Sequence, residues 1–210
     1  TDSSGNSGSE QGAGNTGDSS TSTEKYQIQN NAVLLRNTSD IDWNELQNQA
    51  ENLYKSWTTI TLDLNTMNVT SENILAYNTN LDNLMVSLKE KNKVNSAICL
   101  ANMYSLIPKY TNEISSDTAK SKLENVKSNI IFAYSIVETD RWDDVLKLLG
   151  QAETDLTELM TMKENLSTMK KPKINKAYVL LKELIKSSND KNVDIFYLKY
   201  INLIEELDNL

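Results

Sequence analysis

Residues 43–67, WNELQNQAENLYKSWTTITLDLNTM, decide the fold class of this chain. Their apolar residues recur at alternating steps of three and four, at Trp43, Leu46, Ala50, Leu53, Trp57, Ile60, Leu64 and Met67. This spacing forms one apolar stripe along an α-helix. It predicts a helix over 40–67, with Ser39 or Asp40 as its capping residue and Asp42 in the first turn.

Six further segments carry the same helical spacing. Helices are predicted over 71–92 and 94–107, and Pro108, which has no backbone N–H, is expected to end or kink the second of these. The remaining four are predicted to begin near Ser116, Thr139, Pro172 and Lys191. No stretch alternates long enough to predict a strand. The sequence therefore predicts an all-α fold, an antiparallel helical bundle or stacked α-hairpins of about six to seven helices.

The N-terminal segment differs sharply in composition from the rest. Residues 1–25 contain no Val, Ile, Leu, Phe or Trp, and Ala13 is their only apolar side chain. Such a stretch cannot bury enough apolar surface to offset the entropy of ordering it. We therefore predict a disordered tether rich in Ser, Gly, Thr and Asn over 1–38, followed by a helical-bundle domain over 39–210.

The charge balance limits the kind of partner. The formal net charge is −8, which argues against nucleic acid or an anionic membrane surface as the main partner. One local concentration of lysines is read as a solvated helix face rather than an anion-binding patch. Its members are Lys163, Lys170, Lys171, Lys173, Lys176, Lys182 and Lys186.

Several chemistries lack their usual residues. The chain has no histidine and one cysteine, Cys99, which is expected to be buried and inert. The commonest general base and the commonest metal ligand are therefore missing, and a zinc site is not expected. Beyond residue 17 the only glycine is Gly150, so no glycine-rich phosphate loop is present. We predict a protein with no cofactor or metal that is not an enzyme.

Carboxylates and tryptophans are the remaining candidates for chemistry. Glu138, Asp140, Asp143 and Asp144 cluster at one predicted helix start, and an acid pair can hydrolyse glycosides without histidine. Acids are also common there as caps and dipole partners, and that interpretation is favoured. The three tryptophans, Trp43, Trp57 and Trp142, each occupy a core position of their own helix, so core packing is favoured over stacking on a ligand.

Segment 1–25, leading directly into a folded domain, resembles the mature part of a Gram-positive bacterial lipoprotein. In that class a diacylated cysteine is the first residue, and it holds the domain off the membrane. Here that cysteine would precede Thr1 and is not in the chain, so the lipid-bearing motif is not seen. The resemblance implies an extracytoplasmic domain anchored to the cell membrane.

Residues 132–146, FAYSIVETDRWDDVL, resemble one hairpin of the tetratricopeptide (TPR) family, whose pattern runs Ala-Tyr, turn, Asp-Tyr-Asp-Glu-Ala. This chain has one residue more between the two halves, lacks the turn glycine, and shows no second copy at a period of about 34 residues. The resemblance implies a helix-lined ligand groove near the fourth and fifth helices, with Tyr134, Asp140, Trp142, Asp143 and Asp144 as its residues.

Three functions follow, in decreasing order of preference. The first is a non-enzymatic extracytoplasmic lipoprotein that binds a protein or a cell-envelope component. The second is a TPR-like adaptor that binds a peptide. The third is an envelope glycan hydrolase that uses carboxylates alone.

Overall fold

The computed structural model describes residues 38–162 and 171–210. Eight α-helices lie in these ranges: α1 Trp43–Thr66, α2 Ser71–Lys89, α3 Lys93–Tyr104, α4 Ile107–Ile114, α5 Thr118–Ile136, α6 Trp142–Thr161, α7 Lys171–Asn189 and α8 Val193–Asp208. Two short 3-10 helices, Thr38–Asp40 and Val137–Thr139, complete the regular structure of these ranges. They contain no strand, so the predicted all-α class is confirmed. Three predicted features lie outside the described residues. They are the tether up to Asn37, the lysines Lys163 and Lys170, and an extension of the fifth predicted helix to Leu166.

Two local expectations were wrong. Pro108 was expected to end or kink the third predicted helix, but that helix ends at Tyr104 and Pro108 lies in the first turn of the additional short helix α4. A first-turn N–H has no partner within the helix, so proline is tolerated there. Asp42, rather than Ser39 or Asp40, caps α1, because its carboxylate accepts a hydrogen bond from the Glu45 N–H at 3.0 Å.

The turns between helices use left-handed residues that are not glycine. Asn68, Lys91, Asp140 and Lys191 all have positive φ, between 53° and 59°. At the α2–α3 turn the Lys91 N–H donates to Leu88 O at 3.1 Å and the Asn92 N–H donates to Ser87 O at 2.9 Å. These two bonds form a Schellman motif, which satisfies the last carbonyls of a helix and reverses the chain.

The α2–α3 and α7–α8 hairpins match each other at an offset of 100 residues. α2 and α7 have 19 residues each, and the same side chains recur at core and turn positions. The identical pairs include Ile74 and Ile174, Leu81 and Leu181, Leu84 and Leu184, Ser87 and Ser187, Lys91 and Lys191, and Asn92 and Asn192. Both asparagines cap the following helix with their side chains. A repeat spaced this far apart is invisible to a search for adjacent 34-residue copies.

Helix α5 lies at the centre of the packing. It contacts α3, α4, α6 and α8, and none of its residues from Ser121 onward is exposed. Val126, Ile130 and Ala133 are completely buried. Because α3 and α8 both lie against α5, the two matching hairpins are brought to either side of one helix.

Helix α1 lies at the edge of the stack, where its only extensive neighbour is α2. Half of its predicted stripe is buried, at Trp43, Ala50, Trp57 and Leu64. Leu46 and Leu53 are half-buried, and Ile60 and Met67 are 41% and 53% exposed. All three tryptophans are buried, which confirms their core interpretation. Among the described helices, none combines the length and the apolar character that a membrane span needs.

Candidate functional site

The structure places the five residues predicted to line a groove in different surroundings. Trp142 is 5% exposed and packs in the core at the start of α6. Asp140 and Asp143 are on the surface near the α5–α6 turn, where Asp144 forms an ion pair with Arg141 at 2.7 Å. Tyr134 lines a pocket whose lining does not include the other four.

That pocket lies where α3, the end of α5 and α8 meet. Its cavity volume is about 10 Å³, and its lining includes Lys93, Ala97, Tyr134, Glu138 and Tyr197. Small-molecule sites usually enclose about 300–1,000 Å³, whereas about 10–15 Å³ holds a single water molecule. With Lys93 in place, the pocket therefore has no room for a cofactor or for a further side chain.

Glu138 is the polar centre of the pocket. Its carboxylate accepts a hydrogen bond from Lys93 Nζ at 2.8 Å and another from the Tyr197 hydroxyl. The side chains of Lys93 and Glu138 are only 12% and 21% exposed, so water screens their charges less than at an open surface. The two bonds join α3 and α8 to the end of α5.

Aromatic rings form one wall of the pocket. Tyr134 stacks on Tyr200 with ring centroids 4.6 Å apart, and it lies 5.5 Å from the tilted ring of Tyr197. Lys93 Nζ lies 5.4 Å from the centroid of the Tyr197 ring, within the range of a cation–π interaction. Burial raises the pKa of Tyr134 and of Tyr200, so both hydroxyls stay protonated at neutral pH and neither acts as a base.

A half-buried face continues from this pocket along α5. Five half-buried residues follow one another at helical spacing along α5 and into the 3-10 helix after it: Glu124, Lys127, Ile131, Tyr134 and Glu138. At the far end the Tyr104 hydroxyl donates to Glu124 at 2.8 Å, which joins α3 to α5. Lys127 pairs there with Asp208 at 2.9 Å, which joins α5 to α8. We call this surface the α5 groove, with α3 and α8 as its walls.

The other chemical groups have structural surroundings. Cys99 is buried and its pKa is raised by that burial, which keeps the thiol protonated and unreactive. In the part of the chain that the structure describes, no three acidic or thiol side chains lie close enough to hold a metal ion.

The lysines of α7 are largely paired within the fold. Lys182 pairs with Glu153 at 2.8 Å, Lys176 pairs with Glu206, and Lys173 donates to Asn209 O at 3.1 Å. Paired lysines of this kind favour the solvated-face interpretation over an anion-binding patch.

Sequence reasoning named Glu138 and Tyr134 but missed Lys93 and Tyr197. These two residues are 45 and 59 positions from Glu138 and lie on different helices. The offset of 100 residues between the two hairpins was a signal that relates the start of α3 to the start of α8, but it does not predict that both pack on α5. In comparisons with known proteins, no family model, no curated protein and no solved structure matches this chain.

Proposed function

We propose that this chain is a non-enzymatic binding domain whose α5 groove takes a segment of a protein partner. The observation that carries the proposal is the convergence of Lys93, Glu138 and Tyr197 on one partly open pocket at the end of a half-buried helix face. Tyrosine in a partly desolvated pocket is one of the residue types that contribute most to the energy of protein interfaces.

We further propose an extracytoplasmic location, with the domain tethered to the cell membrane by an N-terminal lipid. The composition of residues 1–25 supports this proposal, since it is that of a lipoprotein spacer. The partner would then be a protein or another component of the cell envelope. The α5–α6 hairpin, with its TPR-like sequence, favours the related alternative of a peptide-binding adaptor in another compartment.

The arrangement of the acids favours binding over glycan hydrolysis. Glu138 is held by Lys93 and Tyr197, and Asp144 is held by Arg141. Neither Asp140 nor Asp143 lines the pocket that contains Glu138. A hydrolase needs two carboxyl groups facing one bond across a cleft, about 5–10 Å apart.

Crosslinking in the native host tests the groove. A photoreactive residue placed at Ile131 in the full-length protein should yield a defined crosslinked partner. Ala97→Trp, which fills the pocket, should abolish that product, whereas the matched control Thr79→Trp on the exposed face of α2 should not. A crosslinked product that persists in the Ala97→Trp protein would refute the groove as the binding site of the partner.

The location is tested separately. When a cell extract is separated into aqueous and detergent phases, the protein should partition into the detergent phase. Protease added to intact cells should also cleave it. Cleavage only after cell lysis would refute the extracytoplasmic location and favour the adaptor.

A further inference from the structure

We propose that the Glu138 end of the α5 groove recognises a cationic side chain of the partner, a lysine ammonium or an arginine guanidinium, which takes the place of Lys93. This inference rests on the proposed function and specifies the chemistry of the segment that the groove accepts. Lys93 is the resident group of this site in the free protein.

The pocket already accommodates an ammonium group. Lys93 Nζ lies 2.8 Å from a Glu138 oxygen and 5.4 Å from the centroid of the Tyr197 ring. A carboxylate beside an aromatic face attracts cations through both its charge and the ring quadrupole. The same two groups remain in place for a cation that arrives from another chain.

Lys93 is the exchangeable member of the pair. It is the first residue of α3, where the positive end of the helix dipole disfavours a cation, and its four-carbon side chain is flexible. Glu138 is fixed by comparison, since its neighbour Val137 is 1% exposed and Tyr197 donates to its carboxylate. A buried charge without a partner is costly. Exchange of one cation for another avoids this cost, because Glu138 keeps a positively charged partner.

The surroundings of Glu138 are acidic. α3 and α8 begin near this point and α5 ends there, so the three hairpin turns gather at one end of the fold. Acidic residues outnumber basic ones in and beside these turns. The acids are Glu90, Glu138, Asp140, Asp143, Asp144, Asp190 and Asp194, and the bases are Lys89, Lys91, Lys93, Arg141 and Lys191. Such a field attracts a basic segment and repels an acidic one.

The two matching hairpins differ at the positions that line the pocket. Lys93 corresponds to Val193, and Ala97 corresponds to Tyr197. One hairpin therefore supplies the resident cation and an open space, while the other supplies the aromatic ring. The shared residues of the turns and core explain the common fold, and these unshared residues create the pocket.

Titration of the full chain with small probes tests the inference. The probes are lysine and arginine blocked at both ends, with blocked norleucine as the neutral control, and binding is followed by NMR signals of the Tyr134 and Tyr197 rings. We expect Lys93→Ala to bind the cationic probes at least about tenfold more tightly than the wild type, because the wild type must first release its own lysine. Glu138→Gln should lose this binding. Lys182→Ala, which removes a lysine that lies outside the groove and pairs with Glu153, should behave as the wild type.

A second readout needs no variant. Saturating blocked lysine should shift the side-chain signals of Lys93 in the wild type to those of a solvated lysine. Equal binding of norleucine, unchanged binding in Glu138→Gln, or an immobile Lys93 signal would overturn the inference. If Ala97→Trp still abolishes the crosslink from Ile131 in that case, the groove remains the proposed binding site. Only its specificity for cations is then refuted.

Discussion

The indole of Trp57 stacks on the phenol ring of Tyr77, with ring centroids 3.7 Å apart and ring planes inclined by 22°. Trp57 Nε1 also donates to the side-chain oxygen of Asn78, and Tyr110 of α4 stacks 6.3 Å away. Trp43, Ala50 and Leu64 are the other buried residues of α1. With these contacts on both α2 and α4, Trp57 is a central attachment point of α1.

Replacing Trp57 with alanine should lower the free energy of unfolding by about 3–5 kcal/mol, because a buried aromatic side chain leaves a cavity. A typical domain has about 5–15 kcal/mol in total, so the variant is expected to be only marginally folded. Urea unfolding followed by circular dichroism measures the change. Tyr54→Ala in the same helix is the control, since Tyr54 is 47% exposed and its loss should cost under about 1 kcal/mol. Equal midpoints for the two variants would contradict the attachment role of Trp57.

Glycine at either left-handed lysine should stabilise the protein. Lys91 and Lys191 have φ of 56° and 53°, a conformation that costs an L-residue about 1–2 kcal/mol and glycine almost nothing. Since glycine also loses more entropy on folding, we expect each substitution to raise the unfolding free energy by about 0.5–1 kcal/mol.

The matched control is Lys147→Gly, an exposed interior position of α6 that should lose about 1 kcal/mol. Thermal unfolding of the three variants shows the sign directly. A lower melting temperature for both Lys91→Gly and Lys191→Gly would exclude a strained turn.

Glu113 of α4 caps α2 from a distance in sequence. Its carboxylate accepts hydrogen bonds from the Thr70 N–H at 2.7 Å and from the Thr70 hydroxyl at 3.0 Å, whereas the Thr70 side chain makes no cap bond of its own. Glu113→Ala should therefore cost about 0.5–2 kcal/mol, as for other lost helix caps.

This contribution should depend on pH. The Thr70 N–H, followed by the hydroxyl of Thr70 and the amide of Asn73, holds the pKa of Glu113 below its usual range. Its stabilisation is then present above the unfolded pKa of about 4.3 and is lost as the pH falls towards the lower folded value. The difference in urea midpoint between wild type and Glu113→Gln should narrow between about pH 7 and pH 3. A constant difference would show that the carboxylate charge is not involved.

Asp143 and Asp144 lie in the first turn of α6, but its N-cap residue is Arg141 and no side chain caps it, so the expected capping role was wrong. Replacing Asp140, Asp143 and Asp144 together with asparagine separates a helix-dipole role from a catalytic one. Asparagine tolerates the positive φ of position 140, and the ion pair of Asp144 with Arg141 is surface-exposed, so about 0.3–1 kcal/mol should be lost per residue. Neither the wild type nor the triple variant should release soluble fragments from purified envelope glycans. Release of glycan fragments by the wild type, lost in a triple variant that still folds, would support the glycan hydrolase function instead.

The sequence by itself determined the helical class and the buried faces, because helical spacing is a local property. The steps of three and four through Trp43, Ala50, Trp57 and Leu64 specify one apolar face whatever lies opposite it. The same pattern could not tell that Ile60 and Met67 remain exposed, because exposure depends on how many neighbouring helices cover that face.

Only the tertiary structure decided which polar groups meet. Glu113 reaches Thr70 across 43 residues, and Glu138 meets Lys93 and Tyr197 across 45 and 59 residues. Sequence reasoning assigned Glu138 to the acids of a helix start, since its nearest charged neighbours along the chain are there. The packing of α3 and α8 against α5 gives it a lysine and a tyrosine instead. Periodicity specifies the direction of a side chain about its own helix axis, whereas the partner depends on packing contacts between helices distant in sequence.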